Sequence, residues 1–215
     1  FTQIYGLTEA SGVATVLSAA DHRDPALWRS AGRPAAEAEL QIVAPQSGTP
    51  LAEGEVGEIW VRSVRTMRAY WNDPEATAQA CTASGWLRTG DCGHMRDGYL
   101  YITDRLKDQI VSGGENVYPA EVERVLVQHP AVADCAVIGV PDAKWGETVK
   151  ACVVLRPGAE AAAAELISFC REHLAHYKCP RSVDFHDALP RNASGKVLKR
   201  ELRAPYWEGL ARSVS

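Results

Sequence analysis

The 215-residue sequence holds no apolar run near the roughly 18 residues of a membrane span, and nothing in it resembles a signal peptide. These absences point to a soluble chain whose contact with any membrane would be peripheral. There is no excess of positive charge either. The 23 basic against 27 acidic side chains leave the chain mildly acidic, without the electrostatic footprint of a nucleic-acid binder. A small anionic ligand is not excluded, because local clusters matter more than the total. The six cysteines (Cys81, Cys92, Cys135, Cys152, Cys170 and Cys179) show no CxxC spacing, and several lie in apolar runs where a thiol acts as a small hydrophobe. This usage fits a reducing cytoplasm. No internal repeat is present, and the one biased tract is the alanine run 161–164. A start methionine is missing as well: "FTQIYGLTEA" opens inside a strand-like run, as the C-terminal part of something larger would.

Turn signals and hydrophobic periodicity organise what is there. From Leu40 to Arg62, two strand-like runs are joined by a loop rich in Gly and Pro, and Asp97-Gly98 marks a hairpin between short strands. "DQIVSGGENVYP" is a further strand entering a glycine turn. After Pro119, a good first residue for a helix, Val122, Val125 and Leu126 fall on one face of a predicted helix until Pro130 stops it. "CAVIGV" and "KACVVL" read as buried strands, and Leu166, Ile167, Cys170 and Leu174 repeat at helical spacing in a second predicted helix. "SVDFH" is a last strand before the turn that carries Lys196. The fold class is therefore α+β: a β-rich first half, then a compact α+β domain, with a boundary between Arg105 and Asp108.

Several polar residues stand at turns where chemistry is feasible. Thr8 and Glu9, after a strand, suit a phosphate oxygen and its hard divalent cation, and equally suit a helix N-cap with an acidic first turn. Asp91 follows a glycine, where a carboxylate can accept from two neighbouring hydroxyls such as those of a ribose, or form an Asx-turn. The charges of "DRLKD" crowd the expected boundary, as in a solvated linker. In "PRNASGKVLKREL", Gly195-Lys196 lacks the P-loop context, since Pro190 and Val197 stand where that motif needs Gly and Ser or Thr. A lysine on a glycine turn still suits an anionic oxygen as a mobile point charge, or simply a solvated surface turn.

Order and spacing bring these pieces together. "YGLTE", "GEIWVR", "WLRTGD", "GYLYITDRLKDQIVSGGENVYPAEVE", "PDAKWGE" and "PRNASGKVLKREL" closely resemble the adenylate-forming (AMP-binding) superfamily over nearly the whole chain. "SGGENVYPAEVE" resembles its acyl-CoA synthetase branch, fatty acyl-CoA synthetases in particular. The resemblance implies that residues 1–106 are the end of a large AMP-binding domain and residues 107–215 a small mobile lid domain. It also implies joining of a carboxylic acid to AMP from ATP, then transfer to the thiol of coenzyme A, with Mg²⁺ as the metal. By the same carry-over Thr8 touches the phosphates, Glu9 helps hold Mg²⁺, and Tyr5 lies against the adenine. Asp91 and Arg105 bind the ribose, and Lys107 is the hinge. Ser112, Gly113 and Gly114 line the pantetheine channel, and Lys196 reaches the α-phosphate and carboxylate oxygens.

The family's Gly/Ser/Thr-rich phosphate loop and most of its acyl pocket lie upstream of "YGLTE" and have no counterpart here. The acid is therefore not legible, and the missing N-terminal part is an implied partner. Two alternatives remain open. One is an adenylation enzyme that loads a carrier protein. The other is a non-catalytic module that binds adenylate or CoA.

Overall fold

In the computed structural model, which describes residues 1–210, the chain forms two compact units, Phe1–Leu106 and Lys107 onward. The first unit holds two antiparallel sheets. Strands β1 (Gln3–Tyr5), β2 (Thr15–Leu17) and β3 (Arg33–Pro34) form the smaller one. The larger is a meander in chain order: β4 (Ala38–Val43), β5 (Gly57–Ser63), then α1 (Pro74–Ala80), then β6 (Leu87–Arg96) and β7 (Tyr99–Arg105). Ile42, Ile59, Val61, Leu87 and Leu100 pack with Ala10, Ala14 and Ala31 into one buried cluster.

The expected hairpin lies between β6 and β7. Asp97 (φ 53°) and Gly98 (φ 77°) both take left-handed backbone, as a two-residue turn between twisted strands requires. Helix α1 has no counterpart among the elements that the sequence predicts. Asp73 accepts from Ala76 N at 2.9 Å and Pro74 opens the first turn, so the start signal is present. The helix buries none of its residues, which is why it shows no apolar stripe.

In the second unit, β8 (Ile110–Ser112) and β9 (Glu115–Val117) form a hairpin, α2 (Pro119–Leu126) follows, and β10 (Val132–Asp142) pairs antiparallel with β11 (Gly146–Leu155), with one register shift between Val132 and Asp134. α3 (Ala163–His173) leads to β12 (Ser182–Phe185), which pairs parallel with β11, and α4 (Lys199–Arg203) follows the Lys196 turn. Alternate residues of the two long strands serve two cores. Cys135, Val137, Val149, Ala151 and Val153 pack with Val122, Leu126, Leu166 and Cys170. Ala136, Ile138, Val140 and Cys152 pack with Leu189 and Leu202. Burial on both faces explains the unbroken apolar runs.

Both expected helices end early. α2 stops at Leu126, with Val127 at its C-cap, before Pro130 is reached. α3 stops at His173, and Leu174 takes extended backbone (φ −131°, ψ 154°) while still packing against the core. An apolar residue can thus keep helical spacing after its helix has ended. Among the described residues no helix is long and apolar enough to cross a membrane.

Candidate functional site

The first unit gathers three expected residues around one carboxylate. Tyr5 ends β1, and Asp91 and Arg105 face each other across the β6–β7 ladder. Tyr5 Oη donates to Asp91 Oδ2 at 2.8 Å, and Arg105 Nε lies 3.3 Å from Asp91 Oδ1. The β5–β6 register shifts between Glu58 and Trp60, the β6–β7 register between Cys92 and Gly93, and Gly90 takes φ 69°. Such irregularities re-aim side chains. They place Asp91 in a strand with its side chain 14% exposed, so the Asx-turn alternative does not apply. Burial, then the Asp91 charge, pushes the Tyr5 phenol well above its ordinary value, which keeps it a donor. A carboxylate offers about four lone-pair sites, so Asp91 retains capacity for further hydroxyl donors.

Glu58 supports this cluster and was missed. It is 5% exposed, Oε1 accepts from Gly90 N at 3.2 Å, and Oε2 accepts from Trp60 Nε1 at 2.8 Å. Its only signal in the sequence is an acidic residue alternating into an apolar strand.

"YGLTE" packs closely on the backbone that follows it because position 6 is glycine: a Cβ there would fall 1.9 Å from Gly12 O. Thr8–Ala10 is a single 3-10 turn whose N-cap is Leu7, so Thr8 is not the cap that its residue type suggested. Thr8 is exposed, Glu9 is half-buried, and Glu9 Oε1 accepts from Tyr70 Oη at 2.8 Å. Among the described residues no group of three or more His, Cys, Asp or Glu side chains could hold a metal ion. One carboxylate still fits Mg²⁺, which keeps several waters and is commonly held by one or two carboxylates plus substrate phosphates.

The second unit carries the remaining residues. Ser112 pairs with Glu115, and Gly113 (φ 61°) and Gly114 (φ 87°) close the β8–β9 turn between them. A Cβ on Gly113 would lie 2.5 Å from the Trp145 ring, whereas one on Gly114 would meet nothing within 4 Å. The indole therefore explains one glycine, and the other faces open space. Gly113 N donates to Trp145 O at 2.9 Å, and Lys144 and Arg181 approach the ring at 4.5 and 5.1 Å. Lys107 lies in the 3-10 turn Leu106–Asp108. Arg203 donates to Lys107 O at 3.2 Å and pairs with Asp108 at 3.2 Å, with both side chains of that pair nearly buried, so this end of "DRLKD" is anchored to the end of α4. Lys196 is exposed on a tight loop, where Gly195 takes φ 82°.

All six cysteines are free thiols. Burial pushes Cys92, Cys135 and Cys170 up to about 12 and Cys152 up to about 11, so these four offer no thiolate nucleophile near neutral pH.

Comparison with known proteins places this arrangement. Residues 1–71 match the AMP-binding enzyme family, and residues 121–196 match the AMP-binding enzyme C-terminal domain. The chain belongs to the AMP-binding enzyme family, and its relatives include acyl-CoA and fatty-acid ligases. It is 43% identical to a fatty acid–[acyl-carrier-protein] ligase of Streptomyces coeruleorubidus, over 100% of this chain and 41% of that protein. A medium/long-chain-fatty-acid–CoA ligase of Mycobacterium tuberculosis is 43% identical, over 100% of this chain and 38% of its own length. Among solved structures, o-succinylbenzoate CoA synthetase of Bacillus subtilis with its acyl-adenylate aligns at a TM-score of 0.85 and 42% identity, covering 94% of this chain and 40% of that one. The same enzyme with ATP and magnesium aligns at 0.83 and 40% identity, covering 94% and 41%. The chain thus spans about 40% of the length of these relatives.

Proposed function

We propose that this chain is the C-terminal part of an ATP-dependent carboxylic acid–CoA ligase, in which 1–106 completes the large AMP-binding domain and 107–215 is the mobile lid. The observation that carries this reading is the Tyr5–Asp91–Arg105 cluster: a nearly buried carboxylate, braced on each oxygen, with acceptor capacity left for a ribose diol. The two family segments on either side of the unit boundary support it.

In the first half-reaction, a carboxylate oxygen of the acid attacks the α-phosphorus of ATP, the bond to the β,γ-bridge breaks, and pyrophosphate leaves. Thr8 donates to the phosphates, Tyr5 packs its ring on the adenine, and Asp91 with Arg105 holds the ribose. Glu9 would hold Mg²⁺, which would supply charge neutralisation on the phosphates. The Lys196 ammonium stabilises the negative charge that gathers on the α-phosphate oxygens. In the second half-reaction, the thiolate of CoA attacks the acyl carbonyl and AMP departs. Ser112, Gly113 and Gly114 line the thiol's approach, with Gly114 leaving the backbone open to a ligand. Lys107 is the pivot between the two states. The six free thiols accord with a cytoplasmic enzyme.

A second reading keeps the first step but gives the acyl group to the pantetheine of a carrier protein, and the carrier-protein ligase among the relatives favours it. Acid-dependent pyrophosphate release by the full-length enzyme, followed by CoA or a pantetheinylated carrier protein as acceptor, tests both. Turnover with CoA supports the first reading, and turnover with the carrier alone supports the second. Absence of acid-dependent pyrophosphate release would contradict both and leave a non-catalytic binding module.

A further inference from the structure

Residues 191–196 are all exposed, the setting in which loops are ordinarily most mobile. Here one side-chain atom closes the loop. Asn192 Oδ1 accepts from Ser194 N at 3.1 Å, from Ser194 Oγ at 2.8 Å and from Lys196 N at 2.9 Å. The backbone completes the ring: Asn192 N donates to Lys196 O at 2.9 Å, and Gly195 N donates to Asn192 O at 2.9 Å. Both backbone polar groups of Lys196 are thus bonded to a single residue. Arg191 holds the same loop from its other side, donating from Nη1 to Gly195 O at 2.5 Å and pairing through Nη2 with Asp134 on β10.

We propose that Asn192 is a positioning residue for Lys196, and that Arg191, anchored by Asp134, is its second latch. This rests on the role proposed above for Lys196. A lysine on a mobile loop must order backbone and side chain together before its charge is useful. With its N–H and C=O both fixed, only the side-chain torsions remain to be ordered, so the ammonium arrives with less to lose. A carboxamide oxygen suits this role because it accepts several N–H and O–H donors without adding a charge that would compete for the ammonium.

The test uses the full-length enzyme and acid-dependent pyrophosphate release. Asn192→Ala should lower kcat for adenylation by about 10- to 100-fold, the range of a small misplacement of a reacting group, with KM for ATP little changed. Asn192→Asp, whose carboxylate oxygen can accept from the same donors but adds a charge that competes for the ammonium, should restore part of that rate and not all of it. The decisive variant is Asn192→Ala in a Lys196→Ala background, where it should change nothing further, because a residue acting through the lysine has nothing left to position. Arg191→Ala should follow the same pattern and covers the case in which Asn192→Ala fails to fold. Wild-type kcat in Asn192→Ala, or an equal fractional loss with and without Lys196, overturns the proposal. A wild-type rate in Lys196→Ala would instead remove the lysine's role, and the latch with it.

Discussion

At the residue scale, Asp91 shows how geometry selects between two readings of one side chain. A carboxylate after glycine in "WLRTGD" admits an Asx-turn or a ligand contact. The β-ladder irregularities on either side of it, together with Tyr5 and Arg105, remove the turn and leave a braced carboxylate on which the proposed ribose contact can be tested. Hydrogen bonds to a charged group contribute about 1.5–3 kcal/mol each, so Asp91→Ala in the full-length enzyme should raise KM for ATP by about 10- to 100-fold. Steady-state kinetics at saturating acid check this, and an unchanged KM would exclude a ribose contact. Of this cluster, Asp91 was legible as a carboxylate at a glycine turn and Arg105 only as a boundary charge, and the resemblance alone brought in Tyr5 and assigned the three together. Glu58 was not legible, because an acidic residue in an apolar strand gives no sign of which buried donors it will meet.

At the element scale, the C-terminal segment is tied to the second unit's sheet by polar knots as well as by Leu202. Lys150 Nζ donates to Asp184 Oδ1 at 2.6 Å, and Tyr206 Oη donates to the other carboxylate oxygen. Burial alone would raise the Asp184 carboxyl, but its bonds to Lys150 and Tyr206 outweigh burial and hold it below the ordinary aspartate value. The Asp184 bond, then burial, pushes the Tyr206 phenol up to about 12. A depressed folded-state value means that the unfolded chain binds this proton more readily. The stabilisation from Asp184 is therefore present above about pH 4 and lost as pH falls through the folded value. In urea unfolding of the chain, Asp184→Asn should lower the midpoint at pH 7 and flatten its decline between about pH 5 and pH 2. Parallel declines in the two proteins would show that the knot contributes nothing to acid sensitivity.

In this unit the sequence pattern marked β8, β10, β11, β12, α2 and α3 but not their ends, and β9 and α4 lie outside the predicted elements. Leu174 keeps the helical spacing after the backbone has turned extended. In the first unit α1 stayed hidden for the opposite reason: it buries no residue, so no stripe marks it.

At the scale of the whole molecule, the chain divides into two units at Lys107. If Lys107 is the pivot of the proposed rotation, fixing its φ near −65° should favour one state over the other. Lys107→Pro in the full-length enzyme should then slow the thioester step more than adenylation, each measured alone. Equal slowing of both would argue against a hinge at this position. The polar knots and the Arg203 anchor were beyond sequence reasoning, since each joins residues far apart in the chain.

The central claim is that Lys196 serves an adenylation step. Its most direct test compares wild type and Lys196→Ala in the full-length enzyme, in two reactions. One is acid-dependent pyrophosphate release from ATP. The other is thioester formation from a presynthesised acyl-adenylate and CoA. Removing one donor aimed at developing charge costs about 10²–10³ in rate, so the first reaction should fall by at least that factor and the second should be spared. A parallel fall in both would mean that Lys196 is structural or serves both steps, and an unchanged first reaction would mean that it serves neither.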